Sequence, residues 1–292
     1  MIVSCEDIDN FFMAKSSLFI FENINYDLEA TLTSGQTFRW KKINNHWENI
    51  ISNKYVKLKK NKSSLIAEVT PFIKDSVWLE DYLQINIDLN KIYRNFPKND
   101  SYLDEAVNLF SGLRILKQDP WETIASFICS SNKQIIQIER IIEKICNNFG
   151  ELSKNNLMSF PSAYKISLCS EDDLMQCGMG YRAKYLLKTA QMVSSNKINL
   201  NELRTLNYNL ARTKLLTLPG VGPKVADCIL LFSYGFQESF PVDTWINKAI
   251  SQLYFKGNPN KKTINNFIKR HFKPNYGYAQ QYLFHYMRTF KN

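Results

Sequence analysis

Hydrophobic and polar positions change their period once along this chain, around Pro97-Lys98-Asn99-Asp100. Between residues 16 and about 95 the apolar residues fall in short runs rich in β-branched and aromatic side chains: LFIFENI, TFRW before Lys41, HWENIIS, YVKLKK and SSLIAEVT. Asn, Gly and Ser break these runs, which is the pattern of short strands joined by tight hairpins in an antiparallel sheet. From Tyr102 onward the apolar positions recur at helical spacing almost to the end. The clearest predicted helices cover 121–130, 134–148, 171–176, 181–194, 209–217, 223–235, 244–255, 263–271 and 277–290. Asp119-Pro120, Ser170 before Glu171-Asp172-Asp173, and Pro223 supply helix-start chemistry. The expected architecture is α+β: an N-terminal antiparallel β-sheet domain over 1–100, then a larger all-α domain over 101–292.

Composition narrows the class of protein. No apolar run approaches the roughly 20 residues of a membrane span, and the opening MIVSCEDIDNFFMAK lacks the apolar core of a signal peptide. A cytoplasmic protein of a bacterium, held near the nucleoid by DNA and not by a membrane, is expected. The Lys-, Asn- and Ile-rich composition adds to this by suggesting an AT-rich genome. Cys5, Cys129, Cys146, Cys169, Cys177 and Cys228 form no C-x-x-C pair, so reduced thiols are expected, with no metal site and no cofactor. Net charge is +10, and residues 181–292 hold seventeen Lys and Arg against four Asp and Glu. The first 180 residues hold twenty against twenty-three, so all the excess positive charge lies in the last third. A basic segment of this kind fits either a solvated face or a nucleic-acid contact.

The strongest motif lies in that segment. Leu218-Pro219-Gly220-Val221-Gly222-Pro223-Lys224 stands between two predicted helices. Two glycines around one apolar residue allow a tight turn whose N–H groups, at a helix N-terminus, make an anion site. Helix, LPGVG, helix is the pattern of a hairpin that grips a DNA phosphate without reading sequence. An ordinary helix–helix turn is the plainer alternative. Lys224, in the first turn of the second helix, faces the positive end of the dipole, and an amine that yields its proton is a candidate nucleophile. Asp243, in Phe240-Pro241-Val242-Asp243-Thr244-Trp245, reads as a helix N-cap. A carboxylate there also stabilises positive charge developing on a sugar.

The run LPGVGPKVADCILLFSYGFQESFPVDTW resembles the helix-hairpin-helix/Gly-Pro-Asp superfamily of DNA glycosylases, and within it the 8-oxoguanine DNA glycosylases. Four further stretches match in order: Ser34-Gly35-Gln36-Thr37-Phe38-Arg39-Trp40, Cys129-Ser130-Ser131-Asn132, Gly178-Met179-Gly180-Tyr181-Arg182-Ala183, and Gly277-Tyr278-Ala279-Gln280-Gln281-Tyr282-Leu283-Phe284. The resemblance covers nearly the whole chain, including the β domain.

The resemblance implies a monomeric glycosylase with lyase activity acting on double-stranded DNA that contains an oxidised purine. Lys224 would attack C1′ and expel the base, leaving a Schiff base whose elimination nicks the strand, with Asp243 stabilising the charged sugar. The Gly35 carbonyl would accept the N7–H that 8-oxoguanine has and guanine lacks. Gln280 would read the Watson–Crick edge, while Phe284 and Cys228 would pack on the two faces of the base. Gly220, Val221 and Gly222 would hold phosphate. Asn132, Tyr181 and Arg182 would fill the hole left by the flipped base and wedge the duplex.

Three positions depart from the animal members of the family. Trp245 stands where they carry a histidine, and Met287 replaces that histidine's acidic partner. Gln137 occupies the place of an arginine that donates to the orphaned cytosine, so weaker selectivity for the opposite base is expected, since glutamine can turn either its oxygen or its nitrogen to the base. Rival readings are a superfamily glycosylase with another damaged-base preference and a non-catalytic helix-hairpin-helix DNA-binding module. Lys224 speaks against the alkyl-purine enzymes, and the absence of cysteine after Cys228 speaks against those with a terminal four-cysteine cluster.

Overall fold

The computed structural model describes residues 16–153 and 156–290; Cys5 and the N-terminal run quoted above lie outside them. Five antiparallel strands form one sheet: β1 (Ser17–Phe21), β2 (Lys41–Ile43), β3 (His46–Ile51), β4 (Lys54–Lys60) and β5 (Leu65–Thr70), in the order β1-β5-β4-β3-β2. Consecutive strands β2 to β5 form a meander, and β1 returns to pair with β5, Phe19 opposite Ala67. Strand alternation is clean in β5, where Leu65, Ala67 and Val69 are fully buried between partly exposed Ile66 and Glu68. That inner face packs on helices α1 (Leu28–Thr33) and α2 (Val77–Leu83) through Leu28, Leu32, Leu79 and Leu83.

Helices follow from there: α3 (Leu89–Arg94), α4 (Ser101–Leu109), α5 (Pro120–Ser130), α6 (Ile135–Phe149), α7 (Ala163–Ser167), α8 (Glu171–Gln176) and α9 (Ala183–Ser194). After them come α10 (Tyr208–Leu215), α11 (Pro223–Tyr234), α12 (Thr244–Ala249), α13 (Lys261–His271) and α14 (Tyr276–Phe290). Each long helix has a sequence cause. In α6, Ile138, Ile141, Ile142 and Ile145 recur at helical spacing and all are buried. Asp119 caps α5 by accepting from the Glu122 N–H at 2.8 Å, with Pro120 in the first turn. The central pair is α5 against α11, with Phe127 and Phe232 stacked at 5.5 Å between ring centres.

Two expectations are corrected. The sheet ends at Thr70, and helices α1, α2 and α3 stand between residues 28 and 94, where short strands were expected. The TFRW stretch is not a strand: Gly35 has φ +73° and Arg39 sends its guanidinium to three acceptors, so the backbone leaves the ladder. The first helices leave no period in the sequence because one or two turns carry too little of it, although the caps Asp27 and Asp88 mark α1 and α3.

Candidate active site

The hairpin is built as its sequence suggests, with one exception. Gly220 has φ +79°, and a Cβ there would stand 2.8 Å from Tyr185 Cβ, so only glycine fits. Thr189 Oγ1 donates to the Pro219 carbonyl at 2.9 Å and anchors the turn to α9. The two hairpin helices, α10 and α11, are tied by Asp227, which accepts Arg212 Nε at 2.7 Å and Tyr208 Oη at 2.9 Å. Val221 is the exception: its N–H donates to the Leu218 carbonyl at 3.1 Å and its side chain is buried, so it closes the turn and is not an outward donor. The N–H groups of Gly220 and Gly222 have no partner among the described residues.

A cavity of about 1470 Å³ opens beside this turn. Gly220, Gly222, Lys224, Asp243, Trp245, Asn132, Gln137, Gly35 and Phe284 all line it. Lys224 points its Nζ over the Phe127 ring, 4.9 Å from the centre. One helical turn on, Cys228 is buried, and burial pushes its thiol up to about 12, partly countered by the Lys224 charge. Asp243 caps α12, accepting from the Ile246 N–H at 2.8 Å. Burial lifts its carboxyl above the ordinary carboxylate range, against the Ile246 N–H and the Lys224 charge, which pull it down. Lys224 and Asp243 therefore feel each other across one cavity.

Gly35 lies under Phe284: a Cβ at Gly35 would meet the ring at 3.0 Å and Ile135 Cδ1 at 3.3 Å. Gln280 is 4% exposed, and its Oε1 is a buried acceptor without a donor among the described residues. Neither Gln280 nor Cys228 belongs to the cavity lining. Asn132 adopts a left-handed φ of +53° on the exposed turn between α5 and α6. Tyr181 is 53% exposed, whereas Arg182 is buried and donates to the carbonyls of Ser131 and Met179. Arg182 thus braces the turn that carries Asn132; its guanidinium does not face outward as expected. Gln137 is also more constrained than expected. Its Oε1 accepts the Gln134 N–H at 3.1 Å, capping α6, so its free end is the NH₂.

Comparison with known proteins agrees with this architecture. The N-terminal domain model of 8-oxoguanine DNA glycosylase matches residues 18–124, and the HhH-GPD superfamily base excision DNA repair model matches 125–274. An N-glycosylase/DNA lyase of Arabidopsis thaliana is 33% identical over 232 residues, covering 75% of this chain and 64% of that protein. The Saccharomyces cerevisiae N-glycosylase/DNA lyase is 31% identical over 258 residues, 78% of this chain and 68% of its own. The chain thus spans about two thirds of the length of each. The crystal structure of Clostridium acetobutylicum 8-oxoguanine glycosylase/lyase, in complex with double-stranded DNA containing cytosine opposite 8-oxoG, superposes with a TM-score of 0.87 at 32% identity. It covers 96% of this chain and 99% of its own. The chain belongs to the 8-oxoguanine DNA glycosylase family.

As an 8-oxoguanine DNA glycosylase family member it places its two unusual residues differently. Trp245 lines the cavity with Lys248 Nζ 5.3 Å from its ring centre, while Met287 is fully buried in the helical core. With Met287 apolar and buried, position 245 faces no ionic partner from position 287. Phe127 and Ile135 were not singled out from the sequence, although Phe127 falls on the buried stripe of α5. No helix among the described residues is long and apolar enough to cross a membrane. Nor does any group of three or more His, Cys, Asp or Glu among them gather as for a metal ion.

Proposed function

We propose that this chain excises 8-oxoguanine from duplex DNA and nicks the resulting site, as a monomer, with Lys224 as nucleophile. The observation that carries this reading is that Lys224 and Asp243 line one cavity together, beside the Gly220–Gly222 turn. The free N–H groups of Gly220 and Gly222, at the N-terminus of α11, bind a phosphate and set the flipped nucleotide's sugar beside Lys224. The neutral amine adds to C1′ as the C1′–N9 bond breaks, and the base leaves with a proton. Asp243 as the carboxylate stabilises the positive charge on the sugar. The attached nitrogen gives up one proton, and its lone pair then breaks the C1′–O4′ bond to form a protonated imine while O4′ takes up a proton; the imine acidifies C2′–H, and loss of that proton expels the 3′ phosphate.

Phe284 rests on Gly35, so a base entering between Gly35 and Cys228 swings the ring aside and stacks beneath it. The lesion's N7–H then donates to the Gly35 carbonyl, and Gln280 Oε1, otherwise unpaired, accepts from the base edge. Asn132 and Tyr181 occupy the vacated stack. Borohydride trapping on DNA bearing 8-oxoguanine tests the assignment. Lys224→Gln should keep DNA binding and lose both base release and the covalent adduct; a variant that traps at the wild-type level assigns the chemistry to another amine.

A further inference from the structure

Thr33 and Gly35 line the cavity with Phe284, and side chains take three of the four consecutive carbonyls from Thr33 to Gln36. Arg288 Nη2 donates to the Thr33 carbonyl, Gln281 Nε2 to the Ser34 carbonyl at 2.9 Å, and Gln118 Nε2 to the Gln36 carbonyl at 2.8 Å. The Gly35 carbonyl alone has no donor among the described residues, and Gly35 lines the cavity. Gln281, Phe284 and Arg288 stand at i, i+3 and i+7 on one face of α14, so a single helix face holds three consecutive residues, Thr33, Ser34 and Gly35. Gln281 is 1% exposed and Gln36 likewise, the latter donating to the Thr31 and Arg114 carbonyls at 2.8 Å and accepting from the Leu116 N–H. Buried amides so fully paired fix the peptide planes on both sides of Gly35.

We propose that Gln281 and Arg288 are positioning residues for base reading: they occupy the carbonyls before Gly35 and so leave one rigid acceptor facing the pocket. The proposal rests on the reading of Gly35 and Phe284 given above. A single fixed acceptor admits a purine that offers a donor at N7 and meets the lone pair of one that does not, and a loop free to turn its peptides would lose that contrast. Removing the donor also leaves the Ser34 carbonyl buried without a partner, which favours a rotated peptide.

The test compares two reactions of the same protein, 8-oxoguanine excision under single turnover and cleavage of a preformed abasic site, which has no base to read. Gln281→Leu and Arg288→Met should each lower excision about tenfold, the worth of one lost buried hydrogen bond. Cleavage of the abasic site should stay within about twofold, because that reaction reads no base. Arg288→Lys keeps a donor and should recover most of the loss. Arg288 is less buried than Gln281, so it remains informative if Gln281→Leu folds poorly. Equal losses in both reactions, or unchanged excision, overturn the proposal. Phe284→Ala run alongside separates the two levels: if it too leaves excision intact, the pocket itself is misassigned, whereas if it abolishes excision while Gln281→Leu and Arg288→Met do not, only the positioning role fails.

Discussion

Asp243 answers two demands with one carboxyl. As the cap of α12 it needs only an acceptor for the Ile246 N–H, a task asparagine does equally well. As the counter-charge to a sugar cation it must be ionised, yet burial raises its pKa. A carboxyl whose folded pKa lies above the unfolded value contributes stability below the unfolded pKa, and that contribution is lost as pH rises through the folded one. At neutral pH the ionised Asp243 is thus a net cost to the fold. Asp243→Asn should melt no lower than wild type at neutral pH, with its advantage shrinking toward about pH 4, while excision falls roughly 10²–10³-fold. Melting curves at both pH values and single-turnover rates check this; unchanged excision would reduce Asp243 to a cap, and a lower melting temperature at neutral pH would contradict the cost of its ionised form. Gln137 is held in a comparable way: with Oε1 on the Gln134 N–H, it offers the orphaned base an NH₂ but not the paired donors of arginine. Gln137→Arg should sharpen the preference for cytosine over adenine opposite the lesion by about one to two powers of ten, the worth of a bidentate contact. Rates on 8-oxoguanine opposite each of the four bases read it out, and an unchanged preference would mean that Gln137 serves the helix alone.

At the scale of elements the hairpin is the most exacting part. Gly220→Ala places a Cβ 2.8 Å from Tyr185 Cβ in a left-handed backbone, and should cost about 1–3 kcal/mol in a denaturant melt. DNA affinity should weaken equally on damaged and undamaged duplexes, since the contact proposed for the turn is with phosphate and not base. Loss confined to damaged DNA would contradict that role. Gly222, with φ −86° and open space around it, should accept alanine without loss of stability. Legibility follows the same division. Helices α6, α11 and α14 stand out in the sequence because several turns repeat a buried stripe, whereas α1 and α2 are too short to show one. Lys224, Asp243, Gly35 and Phe284 stand in local motifs and were readable. Gln281 and Arg288 were not: their acceptors lie 247 and 255 residues away, and no spacing along the chain records such a contact. The inward turn of Arg182 escaped for the same reason, its acceptor Ser131 being 51 residues distant.

The whole molecule is joined through Arg39. Its Nη1 donates to the Ile50 carbonyl of β3 at 3.1 Å and to Glu122 Oε2 of α5 at 3.0 Å, and its Nη2 to the Met158 carbonyl at 2.7 Å. One guanidinium thus spans the sheet, the central helix beneath Lys224 and the loop before α7. The pair is largely buried, the side chains 8% and 23% exposed, and burial raises the Glu122 carboxyl despite the cation beside it. Such a pair stabilises less than its Coulomb energy suggests, because both ions leave water, but losing one partner strands the other. Arg39→Met should therefore cost about 3–5 kcal/mol at neutral pH. The sign of its pH dependence follows from Glu122, whose raised folded pKa makes it costly when ionised and harmless when protonated. Without Arg39 that pKa rises further, so the deficit of Arg39→Met should shrink as pH falls toward the ordinary carboxylate range. The double variant Arg39→Met, Glu122→Gln should recover most of the loss at neutral pH, since no buried charge is then left unpaired. Excision should follow the same course, because Arg39 lies on the Gly35–Trp40 segment and Glu122 on the helix that carries Phe127 under Lys224. Denaturant melts of the four proteins in this cycle, at neutral and acid pH, measure the coupling. A double variant no more stable than Arg39→Met would show that the carbonyl bonds to Ile50 and Met158, and not the ion pair, hold the sheet to the helices.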